Sequence, residues 1–364
     1  MPHFESREID PGARGGGEGG LAPFLSAVLV LLLVAVLPAS AWATVKGRCK
    51  DCHEMHSSSP SPELTRGGCL GCHAVDPAGD RNIVVIGQSP VPQILHHMED
   101  GDLAAGNFYY VDERFTPDYG RGHNVAGISQ QEDPPMDRPV GFIGSVVIPG
   151  GLGPDRWDHE QQLTCAGTYG CHGNRTIEDP YEAIYGAHHE DDSEIDGSTV
   201  GKSYRFLYGI KGAEHDAWEY QATFDNHNGY KGDEGHETMD TISYLCGECH
   251  AVFHPNSLLG GVRSVGETVW HRHPTDISFG SIHSGYVGSE FQAYIVYNME
   301  APVAYIEPTG RESVVDENSV IMCLSCHRAH ASPYQDMLRW DYTEMEAGRS
   351  RPGNGGCFAC HTRK

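Results

Sequence analysis

Twelve cysteines carry the strongest chemical signal, because they fall into six pairs and a histidine directly follows each pair. The pairs are Cys49/Cys52, Cys69/Cys72, Cys165/Cys171, Cys246/Cys249, Cys323/Cys326 and Cys357/Cys360, and the trailing histidines are His53, His73, His172, His250, His327 and His361. Histidine makes up 22 of 364 residues. Six such coincidences therefore have a chance probability on the order of 10⁻⁷ or less, and C-x-x-C-H is the attachment signature of c-type haem. The pattern predicts six covalently bound haems c, each with two thioethers and a proximal histidine.

Two other chemistries use paired cysteines. Six disulfides would suit an exported chain, and structural zinc binds paired C-x-x-C units. Neither requires a histidine at one fixed offset, so haem explains the pattern more completely. The third motif, CAGTYGCH, has five residues between its cysteines instead of two. The alternative for this motif is a disulfide between Cys165 and Cys171, with His172 present by coincidence. A loop with two glycines can still bring both thiols to one macrocycle.

The remaining histidines predict a second axial ligand for every iron. Their number, together with few methionines near the motifs, favours bis-histidine ligation and low-spin iron. His56 follows His53 by three residues, as His330 follows His327, and on a helix such pairs share one face. Axial ligands approach an iron from opposite sides, so the second histidine is predicted to ligate a neighbouring haem. The distal candidates are His56, His123, His188, His254, His273 and His330, with His96, His97 and His189 in reserve. For each of them the alternative is a surface or hydrogen-bonding histidine.

Composition bounds the fold and the partners. The apolar fraction is 39%, below the usual ~45–50%, so a side-chain core would be thin for this length. The interior is therefore predicted to be filled by haem, as in a multihaem cytochrome c fold. Short α-helices are expected at the haem sites, and short β-strands or hairpin arms at residues 81–87, 140–149 and 291–305. A net charge of −25 argues against nucleic acid as a partner.

The N-terminus predicts export. Residues 21–38 form an uncharged apolar run, and a small-x-small pattern ending at Ala43 follows it. This predicts a signal peptide over residues 1–43; a retained membrane anchor is the alternative, since 18 residues just suffice to span a bilayer. The hexahaem region would then cover residues 44–364. It divides into a first doubled motif (44–75), a middle haem region (76–290) and a second doubled motif (291–364).

An acidic run at residues 190–197, EDDSEIDG, partly imitates a calcium loop. Ser203 occupies the position where such a loop needs a bidentate glutamate, so a solvated acidic loop is the better interpretation. The overall acidity favours basic or cationic partners.

At its haem motifs the chain resembles the multihaem c-type cytochromes with doubled C-x-x-C-H motifs found in metal-reducing bacteria. The resemblance rests on CKDCHEMHSSSPSPELTRGGCLGCHA near the start and on CLSCHRAHASPYQDMLRWDY and GCFACHTRK near the end. The opening CHEMHSS is similar to the start of the extracellular hexahaem cytochromes that polymerise into nanowires. The resemblance implies bis-histidine haems stacked in a continuous chain, little regular secondary structure, and respiratory electron transfer at or beyond the cell envelope. In polymerising members one distal histidine comes from the adjacent subunit. The C-x5-C-H motif departs from the common pattern.

Two functions follow from these observations. The first is a non-catalytic electron conduit in the periplasm, at the outer cell surface or outside the cell. It would exchange electrons with other cytochromes or with extracellular acceptors such as metal oxides, and could form a homopolymer. The second is a multihaem oxidoreductase acting on nitrogen or sulfur oxyanions, which needs one iron with an open coordination position. The unusual third motif is the best sequence candidate for such an iron.

Overall fold

The fold was examined in a computed structural model. It describes residues 45–56, 64–97, 101–115, 117–130, 139–142, 161–234, 238–254, 273–281, 290–346 and 355–361. All of these belong to one unit, Trp42–Lys364. The predicted signal peptide, residues 1–43, lies outside the described residues, and so does the predicted strand over residues 143–149. No helix among the described residues is both long enough and apolar enough to cross a membrane.

Helices are short and lie mainly at the cysteine motifs. The α-helices of the described chain are α1 (Cys49–Cys52), α2 (Gly68–His73), α3 (Pro180–Ala183) and α4 (Ile242–Gly247). Side chains cap two of them: the Asp179 carboxylate accepts from two backbone N–H groups of α3, and the Thr241 hydroxyl accepts from Tyr244 N in α4. Proline at the first position of α3 also favours a helix start.

Single 3-10 turns supply most of the remaining helical structure. Two of them, Cys323–Ser325 and Gly356–Ala359, carry the fifth and sixth motifs. The others are Phe108–Val111, Tyr119–Arg121, Ala187–His189, Tyr204–Phe206, Ala251–Phe253, Phe279–Ser281, Glu290–Ala293, Gln335–Met337 and Tyr342–Glu344.

The described strands form three separate antiparallel pairs. They are β1 (Ile83–Ile86) with β2 (Ser89–Pro92), β3 (Gly212–Ala213) with β4 (Gly229–Tyr230), and β5 (Ile277–Ser278) with β6 (Val320–Ile321). In the first pair Val84 lies opposite Val91. The strand predicted within residues 81–87 is therefore confirmed.

Two other strand predictions need correction. Val140 lies in a turn, so the segment predicted over residues 140–149 does not begin as a strand. The segment predicted over residues 291–305 starts as a 3-10 turn and continues with isolated bridges, at Val296 to Val314 and at Ala304 to Val320. The Tyr294 hydroxyl donates to Ala301 O at 2.6 Å and accepts from Asn298 N, closing a local turn where a strand would have continued. Side-chain bonding here overrides β-propensity.

The apolar core is divided into separate small clusters, and these border the motifs. One contains Ile128, Phe108 and Val111, with Cys165 packed against it. Another contains Trp340 and packs against Cys326 and Cys357. A third includes Leu245 and Leu324, the neighbours of two motif cysteines. The low regular structure and these divided clusters agree with the predicted multihaem fold.

Candidate haem sites

Five of the attachment motifs close through a backbone hydrogen bond from the trailing histidine to the first cysteine. In four motifs with the two-residue spacing, the N–H of the trailing histidine donates to the carbonyl of the first cysteine. The distances are 2.8 Å at His53, 2.9 Å at His250, 3.1 Å at His327 and 2.9 Å at His361. This helical turn brings both cysteines and the histidine to the same short segment of chain.

The third motif reaches the same closure with a longer loop. His172 N donates to Cys165 O at 3.0 Å, although five residues separate the cysteines. A bridge between Ala166 and His172 and a bond from Thr164 N to Tyr169 O at 2.9 Å fold the extra residues back. Sequence analysis predicts a short helix here as at the other sites, and the structure has a closed loop instead. The added residues prevent an i to i−4 bond, but the bond from histidine to the first cysteine remains.

None of the twelve cysteines is joined to another by a disulfide. Among the described residues, which include every cysteine, no cluster of three or more histidine, cysteine, aspartate or glutamate side chains is placed to hold a metal ion. Reduced thiols in closed motifs fit thioether attachment to haem.

The two cysteines of the sixth motif lie against different apolar clusters. Cys357 packs beside Trp340, whereas Cys360 packs against the cluster that contains Phe279 and Tyr294. Burial and then the Cys360 thiol raise the pKa of Tyr294. Where the sequence predicts a thioether bond at Cys360, the structure thus has a half-buried thiol in contact with aromatic side chains. Such a surface suits the flat face of a macrocycle, and haem attachment at Cys360 stays a prediction.

Five motif histidines lie opposite a second histidine at the separation that one metal ion would require. Metal–imidazole bonds are about 2 Å long, so two rings on opposite sides of one ion have centroids ~6.4 Å apart. The observed pairs and centroid distances are His53–His189 at 6.1 Å, His73–His188 at 6.3 Å, His172–His330 at 6.4 Å, His250–His123 at 6.2 Å and His361–His273 at 6.1 Å. In every pair one ring follows a motif and the other does not. The donor set fits haem iron with two axial imidazoles.

Backbone carbonyls orient the rings. The Nδ1 atoms of His73, His172, His250 and His327 lie 3.0, 2.9, 2.8 and 2.7 Å from carbonyl oxygens of Pro92, Arg205, Val140 and Asp336. An Nδ1–H that donates to a carbonyl fixes the tautomer and leaves Nε2 with a lone pair for a metal. His123 Nδ1 has the same arrangement with Ala329 O at 2.9 Å.

Burial keeps these imidazoles in the form that binds metal. Desolvation lowers the pKa of His188 and of His250 to about 4, and that of His330 to about 3. It also lowers the pKa of His73 and His172. A ligating histidine must be neutral, and these rings are neutral at pH 7 without any metal.

The predicted distal residues divide into two groups. His123, His188, His273 and His330 each lie opposite a motif histidine, and the reserve residue His189 does so as well. The sequence prediction names His188 as the candidate and keeps its neighbour His189 in reserve. On the 3-10 turn Ala187–His189 the two rings instead serve two different motifs.

His254, a predicted distal ligand, has a protein partner at the nitrogen that would bind iron. It is buried, and its Nε2 lies 2.9 Å from Asp276 Oδ2, which also accepts from the Thr241 hydroxyl. The nitrogen needed for iron is thus engaged with a carboxylate, and its described ring contact is with Tyr244. Sequence reasoning places His254 by its offset from His250 and contains no signal for Asp276.

The other reserve histidines are held by protein groups. His96 has Nδ1 2.6 Å from His97 O and Nε2 3.4 Å from Asn107 Nδ2. His97 Nδ1 lies 3.0 Å from Asp80 Oδ1. Both fit the alternative of hydrogen-bonding histidines, which the sequence left open.

His330 lies opposite His172 of the third motif rather than beside His327 of its own. The expectation assumed a helix from His327 to His330. The structure has an extended bridge from His327 to Leu338 at this point, so the chain leaves the motif and carries the ring to another site. The ring is stacked on Phe108 with a centroid distance of 4.7 Å. Its role is thus set by tertiary packing and not by a helical face.

His327 and His56 differ from the paired rings. Among the described residues no histidine ring contact involves His327, although its Nδ1 is oriented by Asp336 O like the other motif histidines. His56 is exposed, and Met55 beside it is 77% exposed. One motif histidine and one predicted distal histidine are therefore both left over within the described part of the chain.

The attachment cysteines of successive motifs lie next to each other. The thiols of Cys69 and Cys165 share a hydrogen bond, which lowers the pKa of Cys69 to about 7 and raises that of Cys165. A hydrogen bond between Cys246 and Cys323 likewise raises the pKa of Cys246 and lowers that of Cys323. These contacts join the second motif to the third and the fourth to the fifth.

Electrostatic interactions between cysteine thiols connect the other three pairs of successive motifs. Burial and then Cys52 raise the pKa of Cys72, joining the first and second motifs. Burial and then Cys171 raise the pKa of Cys249, joining the third and fourth. Burial and then Cys357 raise the pKa of Cys326 to about 12, joining the fifth and sixth. All five interactions connect motifs that are neighbours in sequence.

The acidic run is built as a structural loop. Asp191 Oδ1 accepts from Ser193 N at 3.0 Å, Asp196 Oδ1 from Ser198 N at 2.8 Å, and Glu190 Oε2 from Gly201 N at 2.7 Å. These carboxylates satisfy loop N–H groups, as in Asx turns. The loop matches the solvated alternative better than a calcium site.

Comparison with known proteins gives one family match and two similar structures. Residues 314–364 match the family model of the doubled CXXCH motif. No curated protein matches the chain. Two solved structures from Geobacter sulfurreducens are similar at 18% identity: the outer membrane cytochrome S filament, with TM-score 0.39 over 82% of this chain and 84% of that one, and the OmcS nanowires, with TM-score 0.42 over 81% and 84%.

The motifs, the reduced thiols and the oriented imidazoles fit the attachment of haem c, as in multihaem c-type cytochromes. Over residues 314–364 the chain is similar to proteins with the doubled CXXCH motif.

Proposed function

We propose that this chain conducts electrons through six bis-histidine haems c arranged in the order of their motifs, and that it does so as an exported, polymerising subunit. The observation that carries the proposal is the row of adjacent attachment cysteines. Each junction brings the edges of two sites together, and closely spaced macrocycles exchange electrons quickly. A row in chain order gives one continuous route from the first motif to the sixth.

Saturated irons favour conduction over catalysis. A haem with two axial imidazoles has no open position for substrate, and five sites have a second histidine at the required distance. The third motif, the sequence candidate for an open iron, lies opposite His330. The unusual cysteine spacing of the third motif therefore does not prevent a second histidine from lying opposite His172.

The unmatched fifth motif supports polymerisation. His56 is exposed beside an exposed methionine, and His327 is oriented for a ligand that the described residues do not supply. A second copy of the chain would complete both: His56 of one subunit would ligate the iron held by His327 of the next. The segment around His56 carries Lys46, Arg48 and Lys50 in a chain of net charge −25, so its docking on an acidic neighbour is electrostatically favourable. The resemblance to polymerising hexahaem cytochromes implies the same exchange.

Export supports an acceptor outside the cytoplasm. The apolar run and small-x-small pattern before residue 44 are typical of a secreted chain. Haem propionates would add negative charge to an acidic protein, so basic cytochromes and cationic metal centres are the partners that its field would attract. Association rates with such partners should fall as ionic strength rises; rates independent of salt would contradict this choice of partner.

The fifth motif, where no described histidine lies opposite His327, would also suit an oxidoreductase. If the iron at His327 keeps an open position in the working protein, nitrogen or sulfur oxyanions could bind there. The iron at His327 therefore distinguishes the two functions. If a neighbouring subunit supplies its second ligand, the protein conducts electrons; if the position stays open, the iron binds substrate.

Replacement of His56 tests this choice. Wild-type protein should assemble, as measured by sedimentation, with only low-spin iron in its electron paramagnetic resonance spectrum. His56→Ala should sediment as single subunits with one sixth of the iron high-spin. His97→Ala, which removes another partly exposed histidine, should behave as wild type. Assembly of His56→Ala with all irons low-spin would refute the shared ligand, and a high-spin iron in wild-type assemblies that binds nitrite would support the oxidoreductase.

A further inference from the structure

A buried ion pair joins the third motif to the fourth. Arg175 Nε donates to Glu248 Oε2 at 2.6 Å and Arg175 Nη2 to Glu248 Oε1 at 2.8 Å, a two-pronged arrangement. The side chains are 11% and 5% exposed. Seventy-three residues separate the partners in sequence, so the pair is a tertiary link.

Both partners are fixed to their own motif. Glu248 lies between Cys246 and Cys249 and ends α4, where its N–H donates to Tyr244 O and Leu245 O. Arg175 follows His172 by three residues. Its carbonyl accepts from the Thr168 hydroxyl within the long third loop, at 3.1 Å. Movement of either side chain therefore requires movement of the attachment site that bears it.

The charges also lie beside the haem attachment atoms. Arg175 and Glu248 each act on the thiols of Cys171 and Cys249, in opposite directions: the guanidinium favours a negative charge there and the carboxylate opposes it. At the cysteines that would attach either haem, the effects of the two charges therefore largely cancel. With one partner removed, the other would remain as a buried net charge next to two haems.

Stability alone does not explain a buried ion pair at this position. Taking two charges out of water is unfavourable, and apolar replacements of similar volume are often neutral or stabilising. An ion pair placed at the junction of two redox sites has a further use, since it fixes geometry without adding net charge.

We propose that Arg175 and Glu248 are positioning residues that hold the third haem against the fourth while leaving their reduction potentials balanced. The proposal rests on the six-haem row, but not on polymerisation or on the identity of the acceptor. Charge gained or lost by either haem during electron transfer would lie beside a neutral, rigid ion pair. Electrons would then cross this junction without a local energy minimum that retains them.

Single and paired substitutions test the proposal in full-length holoprotein with six haems verified by absorbance. Glu248→Gln leaves the guanidinium and should move about a third of the redox titration to higher potential. Arg175→Gln leaves the carboxylate and should move the same fraction to lower potential. The double variant should return close to the wild-type titration, while the excitonic Soret circular dichroism weakens because the two haems are no longer held. Glu248→Asp, which keeps the charge, should leave the titration unchanged.

A bidentate pair elsewhere gives the matched control. Arg114 binds the buried carboxylate of Asp112 through Nε at 2.9 Å and Nη2 at 2.6 Å. Arg114→Gln with Asp112→Asn should lower stability without moving the redox titration or the Soret signal. Shifts of the same sign in both single variants, or none, would overturn the proposed clamp. A wild-type protein that fails to assemble would contradict polymerisation and leave the expected shifts in place.

Discussion

Truncation of His330 gives the sharpest test of how the histidines are shared between motifs. His330→Ala should leave the iron at His172 with one axial ligand and convert it to high spin, because the two rings lie 6.4 Å apart. One haem in six would change. The iron at His327, three residues away in sequence, should keep its spin state.

The structural cost can be separated from the ligand loss. His330 is half-buried and stacked on Phe108 at 4.7 Å, and truncation of such a ring costs about 2–4 kcal/mol. His96→Ala is a control for this cost, since His96 is buried but bonds Asn107 and the His97 carbonyl. It should lower the melting temperature and produce no high-spin signal. Added imidazole should restore the low-spin spectrum of His330→Ala and leave His96→Ala unchanged.

Integrated high-spin intensity distinguishes the site that is affected. If His330 and His172 serve one iron, the double variant should perturb one haem in six, as each single variant does. Two perturbed haems in the double variant would refute the pairing. So would a His330→Ala protein whose altered haem is the one attached through the fifth motif.

Three further predictions concern packing and assembly. Gly173→Ala should cost about 1–3 kcal/mol in urea unfolding, because Gly173 has φ +73° and an added Cβ would lie 2.5 Å from Ala183 O; an unchanged midpoint would contradict this. Burial raises the pKa of Tyr230 to about 12, so the stability that this phenol contributes is complete below pH 10 and falls as pH rises through 12. Tyr230→Phe should reduce the loss of unfolding free energy at pH 11 by about 1 kcal/mol. Equal losses in the variant and the wild type would exclude the phenol as the cause. Met55→Asp should weaken assembly measured by sedimentation without changing the melting temperature of single subunits, whereas a lowered melting temperature would place Met55 in the fold instead.

Sequence patterns predict the attachment chemistry well because it is local. Two thiols and a histidine within one turn are fixed by spacing alone, and even the long third motif closes on the same bond, from His172 N to Cys165 O. What spacing does not give is the surroundings of each thiol, such as the aromatic cluster against which Cys360 packs. The strand at β1 was predictable because it too is local, since four consecutive β-branched residues end at a glycine turn.

Distal partners depend on chain reversals that spacing does not encode. The sequence favours His188 over His189, yet a 3-10 turn directs the two rings to different motifs. His254 has a suggestive offset, but its Nε2 meets Asp276, a residue 22 positions later. The carbonyls that orient the motif histidines could not be found from side-chain types, because every residue has one.

Spin quantification of oxidised wild-type assemblies tests the central claim most directly. The electron paramagnetic resonance signal should account for six low-spin irons per chain in the assembled state, with one becoming high-spin when subunits separate. A high-spin iron that persists in intact assemblies would contradict a saturated conduit. Six low-spin irons in the separated subunit would contradict the sharing of His56.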